Sequence, residues 1–316
     1  MAVYTQVPSE TLAAFLTRFD VGVLVAQKGI AEGVENSNYL VDTSKGRFLL
    51  TLYEKRVDAG DLPFFLDLLE HLARRGNPVP RALPDRDGQT IHQLAGRPAC
   101  LIEFLPGFSA STPTPVQARH VGTALGKLHG SLQDFAPTRA NTLGPDAWQA
   151  LLDQCGADLD GIAPGLFAQL SAAVAEVVAS WPGQLPLSVI HGDLFPDNVL
   201  MLDDQVSGLI DFYFACTDVR AYDLAVTHTA WSFDATGERF DATVGDALIG
   251  GYTERFALTT DERVAMPVLA RGACLRFTLT RAWDWLNTPA GALVTRKDPL
   301  AYWRRYLAYT QGNLFA

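Results

Sequence analysis

Residues 191–200 read HGDLFPDNVL and residues 209–214 read LIDFYF. Within about twenty positions the chain sets down His191, Asp193, Asn198 and Asp211. The stretch between them, VLMLDDQVSGLIDF (199–212), alternates an apolar run, a short acidic turn and a second apolar run, the pattern of a β-hairpin. Such a hairpin returns Asp211 to the neighbourhood of Asn198. An aspartate two residues after His-Gly can accept a proton from a hydroxyl. An asparagine five residues further on, with a second aspartate across the hairpin, offers two hard oxygen donors. Mg²⁺ prefers such a set, few ligands coming from protein and the rest from phosphate and water. HGD alone is an ordinary turn, and Asp211 alone an ordinary strand end. The order HGD, Asn at that offset, hairpin, then Asp-Phe is specific.

Outward from this stretch the chain divides in character. On the N-terminal side, VGVLVAQ (21–27), SNYLVDT (37–43) and GRFLLTLYE (46–54) predict strands, the last two joined by a tight turn at SKG (44–46). PSETLAAFLTRF (8–19) predicts a short helix with Ser9 as N-cap, and DLPFFLDLLEHLARRG (61–76) a longer one ending at Gly76. Residues 80–107 read as short strands around a turn at DRDG. From about residue 114 the pattern becomes helical: 114–133, 166–181, 219–232, 238–256, 262–286 and 299–311, with a loop at 137–145. The expectation is α+β: a small antiparallel β lobe with one main helix over residues 1–106, then a larger, mostly helical lobe over 107–316, with a hinge near EFLPG (103–107).

Composition bounds the partners. The chain has 316 residues, 48% of them apolar, and a formal net charge of -10. That charge argues against a nucleic-acid partner held by a broad basic face. Cys100, Cys155, Cys216 and Cys274 are scattered, with no CxxC pair and no zinc spacing, which predicts buried free thiols in a reducing compartment. The N-terminal residues lack the basic start and apolar core of a signal peptide, and no apolar run reaches the length of a membrane span. A cytoplasmic protein is expected, with neither nucleic acid nor membrane among its partners.

The ordered set HGDLFPDN, IDF and RAYDLAV (220–226) resembles the catalytic and metal-binding loops of the protein-kinase-like phosphotransferases, in the small-molecule branch that includes aminoglycoside and choline kinases. The resemblance implies a bilobal kinase-like fold, ATP and Mg²⁺ as cofactors, Asp193 as catalytic base, and Asn198 and Asp211 as metal ligands. Asp223 would brace the catalytic loop. His191 belongs to the catalytic set, either holding the loop or moving a proton. In the small lobe, GIAEGVENSNYLV (29–41) is the expected phosphate-covering loop, with Gly33 allowing close approach and Asn36, Ser37 and Asn38 adding donors. Glu103 and Leu105 in CLIEFLPG would offer backbone groups to adenine. One position departs from the kinase pattern: where a strand lysine or arginine is usual, this chain has Thr51. Glu70 is then either the acidic partner of a cation or a surface residue.

The departures narrow the resemblance. Taken with "ENSNY", "LLTLYE" and "DFYFAC", they are similar to the homoserine kinases of this fold, over nearly the whole chain. This implies phosphorylation of the side-chain hydroxyl of L-homoserine, a step toward threonine. The residues alone reach only a Mg·ATP phosphotransferase acting on a small hydroxyl compound. A homoserine carboxylate needs a cation. LRFTLTRAWDWL (275–286) places Arg276 or Arg281 on a helix that could face the acceptor. His129 on its helix reads as structural. Two other readings remain: a kinase for choline, an aminoglycoside or a sugar amine, and a nucleotide-binding pseudokinase, which Thr51 invites and the intact Asp193, Asn198 and Asp211 oppose.

Overall fold

A computed structural model describes residues 4–30, 36–54, 58–288 and 296–315. The chain divides into two compact units, Met1–Pro106 and Gly107–Ala316.

In the first unit, helix α1 (Ser9–Leu16) precedes strands β1 (Leu24–Ile30), β2 (Asn36–Thr43) and β3 (Gly46–Tyr53). Helix α2 (Leu62–Arg74) and strands β4 (His92–Leu94) and β5 (Arg97–Glu103) follow. The strands form one antiparallel sheet in the order β1-β2-β3-β5-β4. Thr43 pairs with Gly46, so Ser44 and Lys45 make the two-residue turn. Pleating alternates the burial of β2, sending Ser37, Tyr39 and Val41 to the core face, where Leu12, Phe15, Leu16, Leu50, Leu52 and Leu101 meet them. In α2 the buried set Leu62, Phe65, Leu68, Leu69 and Leu72 recurs at helical spacing. Gly76 takes a left-handed conformation (φ 71°) just past the end of that helix, while the Asn77 side chain donates to the Leu72 carbonyl. Two boundaries differ from expectation. The first strand begins at Leu24, because Gly22 (φ 83°) turns the chain before it. Pro8, not Ser9, is the N-cap of α1, and Ser9 opens the helix.

The second unit contains helices α3 (Pro115–Ser131), α4 (Pro145–Cys155) and α5 (Leu166–Ala179), then strands β6 (Leu187–Ile190), β7 (Val199–Leu202), β8 (Gln205–Leu209) and β9 (Cys216–Val219). Helices α6 (Arg220–Trp231), α7 (Ala242–Arg255), α8 (Thr260–Asn287) and α9 (Leu300–Gln311) complete it. The strands form two small antiparallel ladders, β6–β9 and β7–β8. Capping boxes start α3 (Thr114 with Gln117) and α8 (Thr259 with Glu262). From Ala221 to Trp231, α6 is buried on every side, which makes it the central helix of the unit. Close approach of α3 and α7 depends on glycine. A Cβ on Gly122 would lie 2.0 Å from the Leu248 carbonyl oxygen, and one on Gly251 would lie 2.0 Å from that of Arg119. Helix α4 was not anticipated. Its signals are Pro145 in the first turn and Trp148, Leu152 and Cys155 buried at spacings of four and three.

Candidate active site

Gly192 sits at φ 73°, a conformation that costs glycine little, and this bend gives the HGD turn its shape. The turn hangs from one side chain. Asp223, in the first turn of α6 and fully buried, accepts the His191 N–H at 2.7 Å and the Gly192 N–H at 2.8 Å. His129 Nε2 reaches the same carboxylate at 3.1 Å, and its Nδ1 pairs with the Tyr252 hydroxyl at 2.8 Å. Burial works to raise the Asp223 carboxyl, but the His129 hydrogen bond and the backbone N–H bonds it accepts outweigh it and hold it below the usual carboxylate range.

His191 is buried with both ring nitrogens engaged. Nε2–H donates to the Ile210 carbonyl at 3.0 Å, and Nδ1 accepts the Asp193 N–H at 3.2 Å. This pattern is that of a neutral ring, and burial lowers its pKa further. The proton-transfer option for His191 is therefore corrected: no nitrogen remains for it, and the ring is a brace between the HGD turn and the end of β8.

Asp193 is partly buried. Burial raises its carboxyl above the usual range, against the pull of nearby Arg276 and Lys297. A raised carboxyl is a better proton acceptor. Asn198 Nδ2 donates to the Asp193 backbone oxygen at 2.8 Å and to Oδ2 at 3.2 Å, which leaves the Asn198 side-chain oxygen turned away from Asp193. The Ile210 N–H donates to the Asn198 carbonyl at 3.0 Å, and Val199 pairs with Leu209, so the hairpin brings Asn198 and Asp211 to the same end of the ladder. Asp211 is exposed and left-handed (φ 65°, ψ 59°), a strained conformation for a residue with a Cβ. One amide oxygen and one carboxylate at the hairpin mouth are hard donors in the small number Mg²⁺ takes from protein when phosphates supply the rest, so the residues present fit the ion.

The two candidate arginines separate. Arg276, only 4% exposed, donates through Nη1 to the Gly192 carbonyl at 2.5 Å and lies over the Phe277 ring at 4.6 Å. Arg276, expected as a substrate cation, has Nη1 committed to the underside of the HGD turn, while its buried Nε has no hydrogen-bond partner among the described residues. Arg281 lies 4.5 Å from the Tyr302 ring centroid and 5.9 Å from that of Phe195, two residues after Asp193. Burial lowers its pKa, and Asp193 and Asp197 are near enough to act on it. Phe195 itself packs edge-on against Phe277 at 4.8 Å.

The first unit's expected nucleotide residues are placed as follows. Gly33 lies outside the described residues. Asn36 and Ser37 are buried residues at the start of β2, which begins one residue before the predicted strand. The Ser37 hydroxyl accepts the N–H groups of Tyr4 and Thr5 and donates to Glu54 Oε1 at 2.7 Å. Ser37 as a phosphate donor is corrected, because strand parity points it inward. Thr51 Oγ1 donates to Asn38 Oδ1 at 2.7 Å, so the position where a cation was sought is a neutral, satisfied pair. Glu70 pairs with Arg74 at 2.7 Å, one helical turn on. The Glu103 N–H is taken by the Arg81 carbonyl at 2.9 Å, whereas the backbone of Leu105 has no hydrogen-bond partner among the described residues. The four cysteines are buried free thiols.

Comparison with known proteins agrees with this geometry. The model of the phosphotransferase enzyme family matches residues 26–258. A homoserine kinase of Gluconacetobacter diazotrophicus is 56% identical over 310 residues, covering 96% of this chain and 95% of its own length. A homoserine kinase of Acidiphilium cryptum is 51% identical, covering 99% of this chain and 98% of its own. Among solved structures, an amicoumacin kinase in complex with AMP-PNP matches with a TM-score of 0.71 at 13% identity, over 98% of this chain and 95% of that one. A spectinomycin phosphotransferase in complex with ADP matches with a TM-score of 0.68 at 14% identity, over 98% and 96%. The structural likeness shows the kinase-like α+β fold, with its antiparallel sheet unit and mostly helical unit. The sequence likeness is far closer, and by it the chain belongs to the homoserine kinases of the phosphotransferase enzyme family.

Proposed function

We propose that this chain transfers the γ-phosphoryl group of ATP to the side-chain hydroxyl of L-homoserine, giving O-phospho-L-homoserine and ADP, a step toward threonine. What carries the reading is an Asp193 carboxyl raised by burial and oriented by Asn198, in a chain more than half identical to a homoserine kinase over nearly its full length. In the reaction, Asp193 takes the hydroxyl proton as the substrate oxygen forms its bond to γ-phosphorus. The bond from that phosphorus to the bridging oxygen breaks, and ADP leaves with the electron pair. Asn198 and Asp211 would hold Mg²⁺, which supplies charge neutralisation for the phosphates. Asp223, His191 and Arg276 fix the turn that carries Asp193. Arg281 takes the substrate carboxylate. Asn38 and the backbone of Leu105 in the first unit are assigned to the nucleotide.

No helix among the described residues is long and apolar enough to cross a membrane. With the four buried free thiols, this supports placement in the cytoplasm. The test is ADP release with L-homoserine, choline and kanamycin in parallel, each with and without Mg²⁺. Turnover confined to homoserine and dependent on Mg²⁺ is expected, and Asp193→Asn should cut kcat by roughly 10²–10⁴. Preference for another acceptor would overturn the substrate assignment. Nucleotide binding without turnover on any of the three would revive the pseudokinase reading.

A further inference from the structure

A phosphoryl group in transfer spreads negative charge over its oxygens, and catalysis of the transfer rests on cations placed to meet that charge. The first unit has the neutral Thr51–Asn38 pair where a strand cation was sought. In the second unit such a charge can come from a cation near Asp193. Among the described residues, the cations that act on Asp193, or on which Asp193 acts, are Arg276, Arg281 and Lys297. Arg276 is buried and committed to the Gly192 carbonyl. Arg281 is wedged against the rings of Tyr302 and Phe195.

Lys297 differs in every relevant respect. It reaches the catalytic loop from just before α9, a hundred residues further along the chain. Its Nζ lies 3.3 Å from Asp197 Oδ2 and 5.7 Å from the centroid of the Phe195 ring, so it stands over the loop that carries Asp193. Its side chain is 59% exposed and that of Asp197 is 63% exposed. An ion pair in that setting contributes about 0–1 kcal/mol, so exchanging it for another anion costs little. A flexible stem ending in a compact point charge suits a group that arrives, changes charge and leaves. A fixed guanidinium suits the unchanging carboxylate of the acceptor.

We infer that Lys297 is a catalytic residue: it leaves Asp197 to bind the phosphoryl oxygens during transfer. The inference rests on the proposed phosphotransfer but not on the identity of the acceptor. It is therefore tested on two reactions, homoserine phosphorylation and the slow hydrolysis of ATP without acceptor, using Lys297→Met, Lys297→Arg and Asp197→Asn. Lys297→Met should lower kcat with homoserine by roughly 10²–10³, with the KM for homoserine little changed, and should lower ATP hydrolysis by a similar factor. Lys297→Arg should recover part of both rates. Asp197→Asn should keep near-normal kcat, because Asp197 only parks the lysine. If Lys297→Met raises the KM for homoserine and spares ATP hydrolysis, the lysine is an acceptor ligand and the inference fails. If Asp197→Asn and Lys297→Met lose the same activity and the same thermal stability, the pair is a structural staple and the inference fails. If the wild-type chain does not phosphorylate homoserine, the substrate assignment falls while the hydrolysis comparison still decides the role of Lys297.

Discussion

The carboxylate of Asp223 accepts the backbone N–H of Gly192 at 2.8 Å, although 31 positions separate the two residues. Together with the His191 N–H, this ties the HGD turn to the central helix of its unit. Removing the carboxylate in Asp223→Ala strands two buried N–H donors and a buried His129 nitrogen. A loss of about 3–5 kcal/mol is expected, measured by denaturant unfolding, because breaking a buried pair costs more than the pair itself contributes. Activity should fall further than stability explains at temperatures where the variant is still folded.

Arg276 and Arg281 should respond differently to the same change. Arg281→Ala should raise the KM for homoserine roughly 10–150-fold, corresponding to about 1.5–3 kcal/mol of a charge-assisted pair, and leave the KM for ATP unmoved. Arg281→Lys should restore only part of it, since lysine lacks the planar fork. Arg276→Ala should instead lower kcat and stability together, because it frees the Gly192 carbonyl beneath the turn. Steady-state kinetics with each substrate varied, alongside thermal melts, separates the two patterns.

Two glycines of the same helix should give opposite signs. Gly122→Ala drives a methyl against the Leu248 backbone oxygen and should destabilise by about 1–3 kcal/mol or more. Gly130→Ala meets only the Phe256 ring at 3.6 Å and should stabilise by up to about 1 kcal/mol, as alanine does in a helix. Equal effects in thermal melts would mean that α3 and α7 do not pack through Gly122.

Burial pushes His228 down to about 3. Its Nδ1 meets the Tyr309 hydroxyl at 2.6 Å, and its ring lies 4.4 Å from that of Phe315. Between the ordinary histidine range near 6.5 and that lowered value, the unfolded chain binds a proton that the folded chain does not. Stability is therefore full above about pH 6.5 and declines as pH falls toward 3, by about 1.4 kcal/mol per pH unit within that window. His228→Asn should flatten the decline between pH 6.5 and 5 by about 2 kcal/mol, read from urea midpoints at each pH. An unchanged slope would place the proton uptake elsewhere.

Much of this was legible in the sequence because the signals are local. The HGD turn, the asparagine offset and the hairpin register are set within twenty-one residues, and the structure brings Asn198 and Asp211 to one end of the ladder. Ser37 misled because a hydroxyl beside a glycine-containing loop reads as a phosphate donor, while strand parity, fixed by Tyr39 and Val41 two and four positions on, turns it inward. Arg276 and Arg281 lie five positions apart on one helix, and nothing in their spacing tells which one meets a buried carbonyl. That is decided by Gly192, eighty-four positions away. Lys297 left no trace at all, since its neighbour Asp197 is a hundred residues distant and an exposed lysine carries no motif.

The left-handed backbone of Asp211 has a consequence for how copies of this gene diverge. Aspartate and asparagine visit that conformation more readily than other residues with a Cβ, yet still at a cost of order 1 kcal/mol that glycine does not carry. As long as turnover is selected, the carboxylate is kept against that cost. Once selection for turnover relaxes, the same position is free to drift toward glycine, which relieves the backbone as it removes the charge. The residue at position 211 is thus a record of past selection. In a relative with an intact core and an intact Asp223, glycine there marks a lineage that has stopped transferring phosphate and kept the scaffold.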